Sequence, residues 1–246
     1  MANMLKDKVV LVTGAGGGIG REMALLAAKE GAKVVVNDLG GAVDGEGSGN
    51  VTPAQKVCDE IAAMGGKAVP NGDSVADPAG AERMVKAAVE NFGRIDGVIN
   101  NAGILRDRIF HRMSHMDWKM VIDVHLNGSF NTSRAAANYF KEQKSGAFVH
   151  FTSTSGLVGN FGQANYSAAK MGIIGLSRSI GIPARDLYGI RVAPSKFGYR
   201  SMGANAEDIT KAQHCRAEVW LAGSGWTPVD PADVRKVVLE EPPGNL

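Results

Sequence analysis

The chain has 246 residues, and its 27 lysines and arginines nearly balance 25 aspartates and glutamates, which gives a formal net charge of +2. Because there is no basic block, the sequence indicates neither a nucleic acid nor an anionic membrane as a partner. No apolar run is long enough to span a bilayer and no secretory leader is visible, so we expect a cytoplasmic protein without a membrane segment.

Length and cysteine content restrict the architecture further. A chain of this size suits one domain with a single sizeable core, and we expect that domain to cover residues 1–246. Cys58 and Cys215 are too few and too far apart in sequence to indicate a disulfide framework or a metal site.

The first motif is a glycine turn between a predicted strand and a predicted helix. The apolar run Val9 to Val12 is followed by T-G-A-G-G-G-I-G and then by a helical pattern to about Lys29. Glycines let a backbone approach a pyrophosphate, whose charge is favoured at a helix N-terminus. The alternative is a tight turn without a ligand. The predicted cofactor contacts are Gly14, Gly18, Ile19 and Gly20.

An acidic residue ends the second predicted strand. Asp38 follows the run Lys33 to Val36 and lies eighteen residues after Gly20. A carboxylate at this place hydrogen-bonds the adenosine ribose of NAD and repels a 2′-phosphate. Neither the variable loop positions 15–17 nor Leu39 supplies an arginine, so we predict NAD rather than NADP. The alternative is an aspartate that only caps the next loop.

Further strands and helices alternate along the chain, as a parallel sheet requires. After a glycine-rich surface excursion over residues 40–52, the patterns predict a helix at 53–64, a strand at 68–70, a helix at 78–92 and a strand at 95–99. A long helix over about 115–143 and a strand at 147–151 follow. The order predicts an α/β fold.

Small and polar residues follow two of these strands. Asp73 and Ser74 come after the third strand and are predicted to contact the adenine edge. Asn100, Ala102 and Gly103 come after the fourth, within N-N-A-G. Because ligands bind at the carboxyl ends of strands in open α/β sheets, we expect these residues to line the cofactor site.

Three residues carry the predicted chemistry. Tyr166 and Lys170 stand four apart, so a helix from about Ala164 would place them on one face. A nearby lysine cation favours the phenolate and makes tyrosine a usable base near neutral pH. Ser153 follows the fifth strand and could hydrogen-bond the same substrate oxygen. The alternative is a tyrosine and a lysine that merely share a helix surface.

The three motifs together resemble the short-chain dehydrogenase/reductase family over about residues 5–180. Within it, V-V-V-N-D-L-G-G, N-N-A-G-I-L-R-D-R and G-N-F-G-Q-A-N-Y-S-A-A-K are similar to the (3R)-hydroxyacyl-CoA dehydrogenase domains of peroxisomal multifunctional enzymes. The resemblance implies a doubly wound Rossmann-type fold with about seven parallel strands, and a homodimer or homotetramer. It also implies an alcohol, ketone or acyl thioester substrate, and cofactor contacts from Tyr166 and Lys170.

The resemblance also implies a fourth catalytic residue in the long helix. Counting twenty-eight residues back from Ser153 places His125, rather than Asn127, at the position where the family usually has asparagine. That residue would hold a water that links the lysine to solvent, or shuttle the proton itself. The alternative is a histidine whose hydrogen bonds are satisfied inside the helical layer.

The sequence departs from the family pattern after Ile180. Pro183 falls where the helix of Tyr166 normally continues, so we expect that helix to end or kink near Ile182. Residues 190–194 resemble the next strand, residues 218–226 the last strand, and 227–246 a peripheral tail. The segment 198–216 is short for the family's substrate lid, and we expect it to be irregular. An internal deletion or a shifted reading frame would produce the same departure.

Two functions from different classes follow from these observations. The first is reversible hydride transfer between NAD and a secondary alcohol or ketone. The second is an NAD-binding module that is catalytically weak or idle, because its substrate pocket is incomplete. An epimerase or dehydratase shares Y-x-x-x-K, but the chain is short for the added sugar-nucleotide domain.

Overall fold

The computed structural model describes residues 3–41, 44–45 and 52–180, together with the strands Asp186–Ile190, Gln213–Leu221 and Gly225–Val229. The chain divides into two compact units, Met1–Ile182 and Pro183–Leu246. The first unit contains every residue that the sequence analysis assigned to catalysis or cofactor binding. The single domain over 1–246 stays a prediction.

A parallel sheet forms the centre of the first unit. Its strands are β1 (Val9–Thr13), β2 (Lys33–Asn37), β3 (Lys67–Asn71), β4 (Gly97–Asn100) and β5 (Ala147–His150). They are hydrogen-bonded in the order β3-β2-β1-β4-β5, and every neighbouring pair is parallel. The predicted doubly wound α/β fold is confirmed. Among the described residues this sheet has five of the about seven expected parallel strands.

Helices connect these strands and follow the last of them. They are α1 (Gly18–Lys29), α2 (Thr52–Ala63), α3 (Pro78–Phe92), α4 (His115–Ile122), α5 (Gly128–Gln143), α6 (Thr154–Val158) and α7 (Ala164–Ser179), with a short 3-10 helix at Phe110–Arg112. A π-helical turn, Asp123–Asn127, joins α4 to α5. The predicted helix over 115–143 is confirmed in its bounds, and a π-helical turn lies at its middle.

The two faces of the sheet are buried by different helices. Val10 and Val12 of β1 pack with apolar residues of α1 and α2, whereas Val9 and Leu11 pack with those of α3 and α5. Successive side chains of a strand point to opposite faces, so a strand that is buried on both faces needs a continuous apolar run. The run that predicted β1 has this property.

The strand order reverses between β1 and β4, and such a switch point is where ligands bind in open α/β sheets. Here Thr13 joins the loops that follow the two strands. Its Oγ1 accepts hydrogen bonds from the backbone N–H groups of Asn101 and Ala102, both at 3.1 Å. The glycine turn and the N-N-A-G loop are thereby held side by side.

The second unit has a different sheet. Strand β6 (Asp186–Ile190), β7 (Gln213–Leu221) and β8 (Gly225–Val229) are hydrogen-bonded to one another as antiparallel neighbours. The strand predicted at 190–194 lies outside the described residues except for Ile190. The region 218–226 was expected to be the last strand of the parallel sheet, whereas in the described strands it belongs to β7 and β8, which pair antiparallel with each other. Only three residues join β7 to β8, and neighbouring parallel strands need a connection of a dozen or more.

The departure after Ile180 is in part as expected. Helix α7 ends at Ser179, three residues before the predicted end near Ile182. Of the segment 198–216 that was expected to be irregular, residues 213–216 instead lie in strand β7, where they pair with β6. The residues 198–212, the turn at 191–194 and the tail from 230 lie outside the described residues.

Candidate active site

The glycine turn leaves the N-terminus of α1 open to a ligand. Gly14 and Gly18 have φ values of +61° and +54°, which other residues adopt only with strain. A Cβ on Gly20 would lie 2.2 Å from the carbonyl oxygen of Gly14, so only glycine lets the helix begin this close to the turn. Around Gly17 and Gly18 there is open space, and no side chain caps the helix.

Asp38 lies beside this turn, at the carboxyl end of β2. Its Oδ2 accepts a hydrogen bond from the backbone N–H of Gly16 at 2.8 Å, and its Oδ1 accepts one from Gly40 at 2.7 Å. A carboxylate has about four acceptor positions, so each oxygen can still accept a hydroxyl. The two backbone bonds fix the carboxylate next to the glycine turn.

The predicted adenine contacts lie at the same sheet edge, after β3. The Asp73 carboxylate accepts hydrogen bonds from Arg83 Nε at 2.7 Å and from Asn71 Nδ2 at 2.9 Å. The hydroxyl of Ser74 accepts from the backbone N–H of Ala76 at 3.2 Å. Asp73 is thus held by its own loop and by α3, and Ser74 by its own loop, at the edge that carries Asp38.

The two asparagines of N-N-A-G have different places. Asn100 is buried, and its side chain bonds Thr132 and Ser133 of α5 and His150 of β5. The side chain of Asn101 instead donates to the carbonyl oxygens of Thr13 and Gly14, at 3.1 and 2.9 Å. Sequence reasoning assigned the cofactor site to Asn100 and missed Asn101. The alternation of side chains at the end of β4 was the signal that distinguishes them.

Tyr166 and Lys170 lie on one face of α7. The Lys170 Nζ is 5.4 Å from the centre of the tyrosine ring. Lys170 is only 5% exposed, and burial lowers its pKa from 10.5 to about 8. Its Nζ donates to the carbonyl oxygen of Phe151 at 2.8 Å, and the Thr152 hydroxyl donates back to the carbonyl oxygen of Lys170 at 2.8 Å. These two bonds fix the end of β5 against α7.

Ser153 follows directly and is the N-cap residue of α6. Its Oγ accepts a hydrogen bond from the backbone N–H of Ser155 at 3.2 Å. Helix α6 packs on α7 at Gly156, where a Cβ would lie 3.0 Å from the Cβ of Lys170. Ser153 is therefore on a segment that is fixed on both sides by contacts to the backbone around Lys170.

The structure places His125, and not Asn127, beside Tyr166. The two rings meet edge to face, with centres 5.2 Å apart and planes at 89°. His125 is 5% exposed, and its Nε2 lies 2.9 Å from the Ile104 carbonyl oxygen and 3.1 Å from the Ile104 nitrogen. Asn127 lies at the surface, where its Nδ2 donates to Asp123 at 2.9 Å.

His125 is a neutral imidazole. Burial, and then the charge of Lys170, lower its pKa to about 3. Its ring lies against Gly103, where a Cβ would be 2.4 Å from the imidazole Cε1, so this position of N-N-A-G has to be glycine. The other ring nitrogen, Nδ1, is buried and has no hydrogen-bond partner among the described residues. The histidine is thus only partly satisfied by the protein.

Sequence reasoning also missed Asn165, which immediately precedes Tyr166. It is fully buried, and its Nδ2 donates to the carbonyl oxygens of Arg106 and Asp117, both at 3.0 Å. Its Oδ1 accepts from the backbone N–H of Tyr166 at 2.8 Å. The available signal was an amide side chain directly before the predicted catalytic tyrosine.

A sequence profile of the family described as short chain dehydrogenase matches residues 8–212. The chain belongs to this family. It is 54% identical over 178 residues to a short-chain type dehydrogenase/reductase of Mycobacterium tuberculosis. That alignment covers 72% of this chain and 62% of the relative. It is 50% identical over 216 residues to the peroxisomal multifunctional enzyme type 2 of Mus musculus, 86% of this chain and 29% of that protein.

Among solved structures, the crystal structure of a short chain dehydrogenase from Mycobacterium avium aligns with a TM-score of 0.65. It is 47% identical to this chain, and the match covers 71% of this chain and 64% of that one. The chain thus spans less than two thirds of the mycobacterial relatives' length. Within the described residues of this short-chain dehydrogenase, no helix is both long and apolar enough to cross a membrane.

The residues of this short-chain dehydrogenase fit a nicotinamide cofactor. The open turn at Gly17 and Gly18 would hold the pyrophosphate through backbone N–H groups at the positive end of α1. Asp38 would accept hydrogen bonds from the adenosine ribose. In the part of the chain that the structure describes, no group of three or more histidine, cysteine, aspartate or glutamate side chains is placed to hold a metal.

The buried cation predicts a pH-dependent stability difference. Because the folded pKa of Lys170 is below its ordinary value, the folded chain binds fewer protons than the unfolded chain between pH 8 and 10.5. Below pH 8 the buried Lys170 cation therefore lowers the free energy of unfolding by on the order of 3 kcal/mol. This destabilisation disappears as the pH rises to 10.5. We therefore expect the free energy of unfolding of Lys170→Met to exceed that of the parent by the largest amount at neutral pH.

Urea unfolding of both proteins across this pH range measures the difference. The gap between variant and parent should shrink as the pH rises from 8 to 10.5. Lys141→Met, which removes an exposed lysine of α5, is the control for the loss of a lysine side chain. A constant gap for Lys170→Met would contradict the buried cation.

Proposed function

We propose that the chain is an NAD-dependent oxidoreductase that transfers hydride between NAD and a secondary alcohol or ketone. The observation that carries the proposal is the fixed pair of Tyr166 and Lys170, with the Nζ 5.4 Å from the ring centre. The pair lies on the unit that also carries the glycine turn and Asp38. The rival epimerase and dehydratase functions draw no support from the described residues beyond the same Tyr–Lys pair.

The residues of this chain handle the proton, whereas the nicotinamide, when bound, accepts or supplies the hydride. In the oxidative direction the substrate hydroxyl loses its proton to the Tyr166 oxygen. The Lys170 cation stabilises the phenolate before the transfer. Ser153 donates a hydrogen bond to the substrate oxygen and orients it, and Lys170 would also hold the nicotinamide ribose when the cofactor is bound.

A 3-hydroxyacyl thioester is the substrate class that we propose within this reaction. The chain is 50% identical to part of a peroxisomal multifunctional enzyme type 2 of Mus musculus, and 42% identical over 176 residues to a 3-oxoacyl-[acyl-carrier-protein] reductase of Synechocystis. The second of these names concerns reduction of the oxo group at the third carbon of an acyl chain, and the first resemblance was the one expected from the sequence motifs. They support the substrate class by analogy, which is a weaker argument than the Tyr–Lys geometry.

His125 has a proposed role in the proton path. Its imidazole contacts Tyr166 and has a buried Nδ1 that faces no protein partner among the described residues. A buried polar atom of this kind is commonly satisfied by an ordered water. We propose that a water on Nδ1 links the Tyr166–Lys170 pair to solvent. Because the imidazole stays neutral, it acts as a hydrogen-bonding group and not as an acid.

A second candidate is the NAD-binding module that turns over weakly or not at all. The observation that favours it is the separate antiparallel sheet after Ile182, where the sequence was expected to add parallel strands beside β5. Under this function the glycine turn and Asp38 bind the cofactor, but the substrate is not enclosed. The two candidates differ in turnover and agree in cofactor binding.

The location and the assembly stay predictions. The cytoplasmic location rests on the sequence patterns described above, and the homodimer or homotetramer rests on the family resemblance. Light scattering of the purified chain tests the assembly, and a monomer at micromolar concentration would overturn it.

The reaction and the cofactor are tested together with purified protein and a panel of secondary alcohols and 3-hydroxyacyl thioesters. Absorbance of the reduced cofactor should rise with NAD, and NAD should bind at least about tenfold more tightly than NADP because Asp38 repels a 2′-phosphate. Asp38→Ala should narrow this preference. Cofactor binding without turnover on any substrate would favour the weak module, and equal affinities for NAD and NADP would refute the cofactor assignment.

The role of His125 is tested by two substitutions and a matched control. His125→Ala should slow turnover more than His125→Asn, because asparagine can still hold a relay water. Asn127→Ala changes a surface residue two positions away in the same π-helical turn and should have little effect on kcat. The reverse order, with Asn127 essential and His125 silent, would show that the register is shifted.

A further inference from the structure

Arg106 joins three segments that lie far apart in sequence. Its Nη1 is 3.3 Å from Asp117 Oδ1 at the start of α4, and its Nε donates to the carbonyl oxygen of Asp44 at 2.8 Å. Its own carbonyl oxygen accepts from the buried Asn165 at 3.0 Å. The guanidinium is therefore placed between the segment that follows Asp38 and the residue that precedes Tyr166.

This ion pair differs from an ordinary surface pair. The side chains of Arg106 and Asp117 are only 15% and 14% exposed. Exposed pairs contribute about 0–1 kcal/mol because water screens them, whereas removing one partner of a shielded pair leaves a charge without compensation. The Ser114 hydroxyl, and to a smaller extent the Arg106 guanidinium, hold the pKa of Asp117 below its usual range.

Asn165 links the backbone of this ion pair to Tyr166 through hydrogen bonds. Its amide nitrogen bonds the carbonyl oxygens of Arg106 and Asp117, and its amide oxygen accepts from the Tyr166 N–H. With 0% of its surface exposed, it has no water with which to replace a lost bond. A shift of Arg106 or Asp117 therefore moves the first turn of α7, which bears the tyrosine.

On the cofactor side, the segment at Asp44 and Gly45 rests on the same cluster. A Cβ on Gly45 would lie 3.1 Å from Ile104 Cδ1 and 3.2 Å from Met120 Cε. Ile104 packs with Val121 and Ala169, and Tyr166 packs against this group. The segment that begins after the ribose-binding Asp38 thus reaches the apolar cluster beneath the catalytic tyrosine, and Arg106 fastens it there through the Asp44 carbonyl.

We infer that Arg106 is a positioning residue for both halves of the reaction: it orients Tyr166 through Asp117 and Asn165, and it holds the cofactor-side segment through Asp44. The inference rests on the proposed function for its catalytic part. Its structural part, the link between the Asp44 segment and the start of α7, stands without turnover.

The test compares Arg106→Met, Arg106→Lys and Asp117→Asn with the control Arg112→Met, which removes an exposed arginine of the same connection. Arg106→Met should lower kcat between about tenfold and a hundredfold, since small misplacements of a catalytic group have effects of this size. It should also weaken NAD binding several-fold. Arg106→Lys should have a kcat and an NAD affinity between those of the parent and Arg106→Met, because an ammonium cannot reproduce the fork of donors of the guanidinium.

Asp117→Asn separates the two branches. It removes the charge pair but leaves the Asp44 contact, so kcat should fall while NAD affinity stays within about twofold. Hydrogen exchange should show that Arg106→Met speeds exchange in two peptides, one containing Asp44 and one containing Tyr166. Asp117→Asn should speed only the second, and Arg112→Met neither.

The outcomes distinguish this inference from the proposed function. If the parent shows no turnover on any substrate, the proposed function fails, while NAD titration and hydrogen exchange still measure the link. If Arg106→Met exchanges and binds NAD like Arg112→Met, the inference is wrong, whatever the parent's activity. A lowered melting temperature with unchanged kcat, NAD affinity and exchange in the Tyr166 peptide would reduce Arg106 to a purely structural residue.

Discussion

Burying the ammonium of Lys170 is the constraint on which the rest of the site depends. A cation removed from water needs a replacement for its hydration, and the Phe151 carbonyl oxygen supplies one such partner at 2.8 Å. That bond requires the end of β5 to lie against α7, and the Thr152 hydroxyl strengthens the same contact from the other side. The segment that carries Ser153 is thereby fixed relative to Lys170 and Tyr166.

The same cation shapes its surroundings through charge. Burial lowers the pKa values of His125 and His150, and the nearby charge of Lys170 lowers them further, to about 3 and about 4. Both imidazoles are therefore neutral at physiological pH, and the lysine remains the only cation among these three groups. The neutral His125 ring also meets the Tyr166 ring edge to face without placing a second cation beside the phenolate.

Much of this arrangement could be predicted from the sequence. The glycine turn, Asp38 and the Tyr166–Lys170 pair follow from local spacing, because four residues on a helix and a strand end on a sheet have fixed geometry. The helix at 78–92 was predicted with its observed bounds, since Asp77 caps it, Pro78 starts it and Gly93 ends it in the left-handed conformation.

Other features depend on contacts between distant residues and were not predictable in the same way. The π-helical turn at Asp123–Asn127 has no composition that marks it, and it forms where His125 packs against Gly103 and Ile104. Whether Asn100 or Asn101 reaches the glycine turn depends on the register of β4 with β1. The pairing of β6, β7 and β8 with one another depends on which strand edges meet, which local patterns do not encode.

Tyr166→Phe provides the most direct test of the account, because it removes one hydroxyl and changes the packing of the ring very little. Turnover and NAD affinity should be measured on the same preparations of parent and variant. The account predicts that turnover is lost while NAD binds within a few-fold of the parent. A variant that keeps most of its turnover would contradict the assignment of Tyr166 as the group that exchanges the substrate proton.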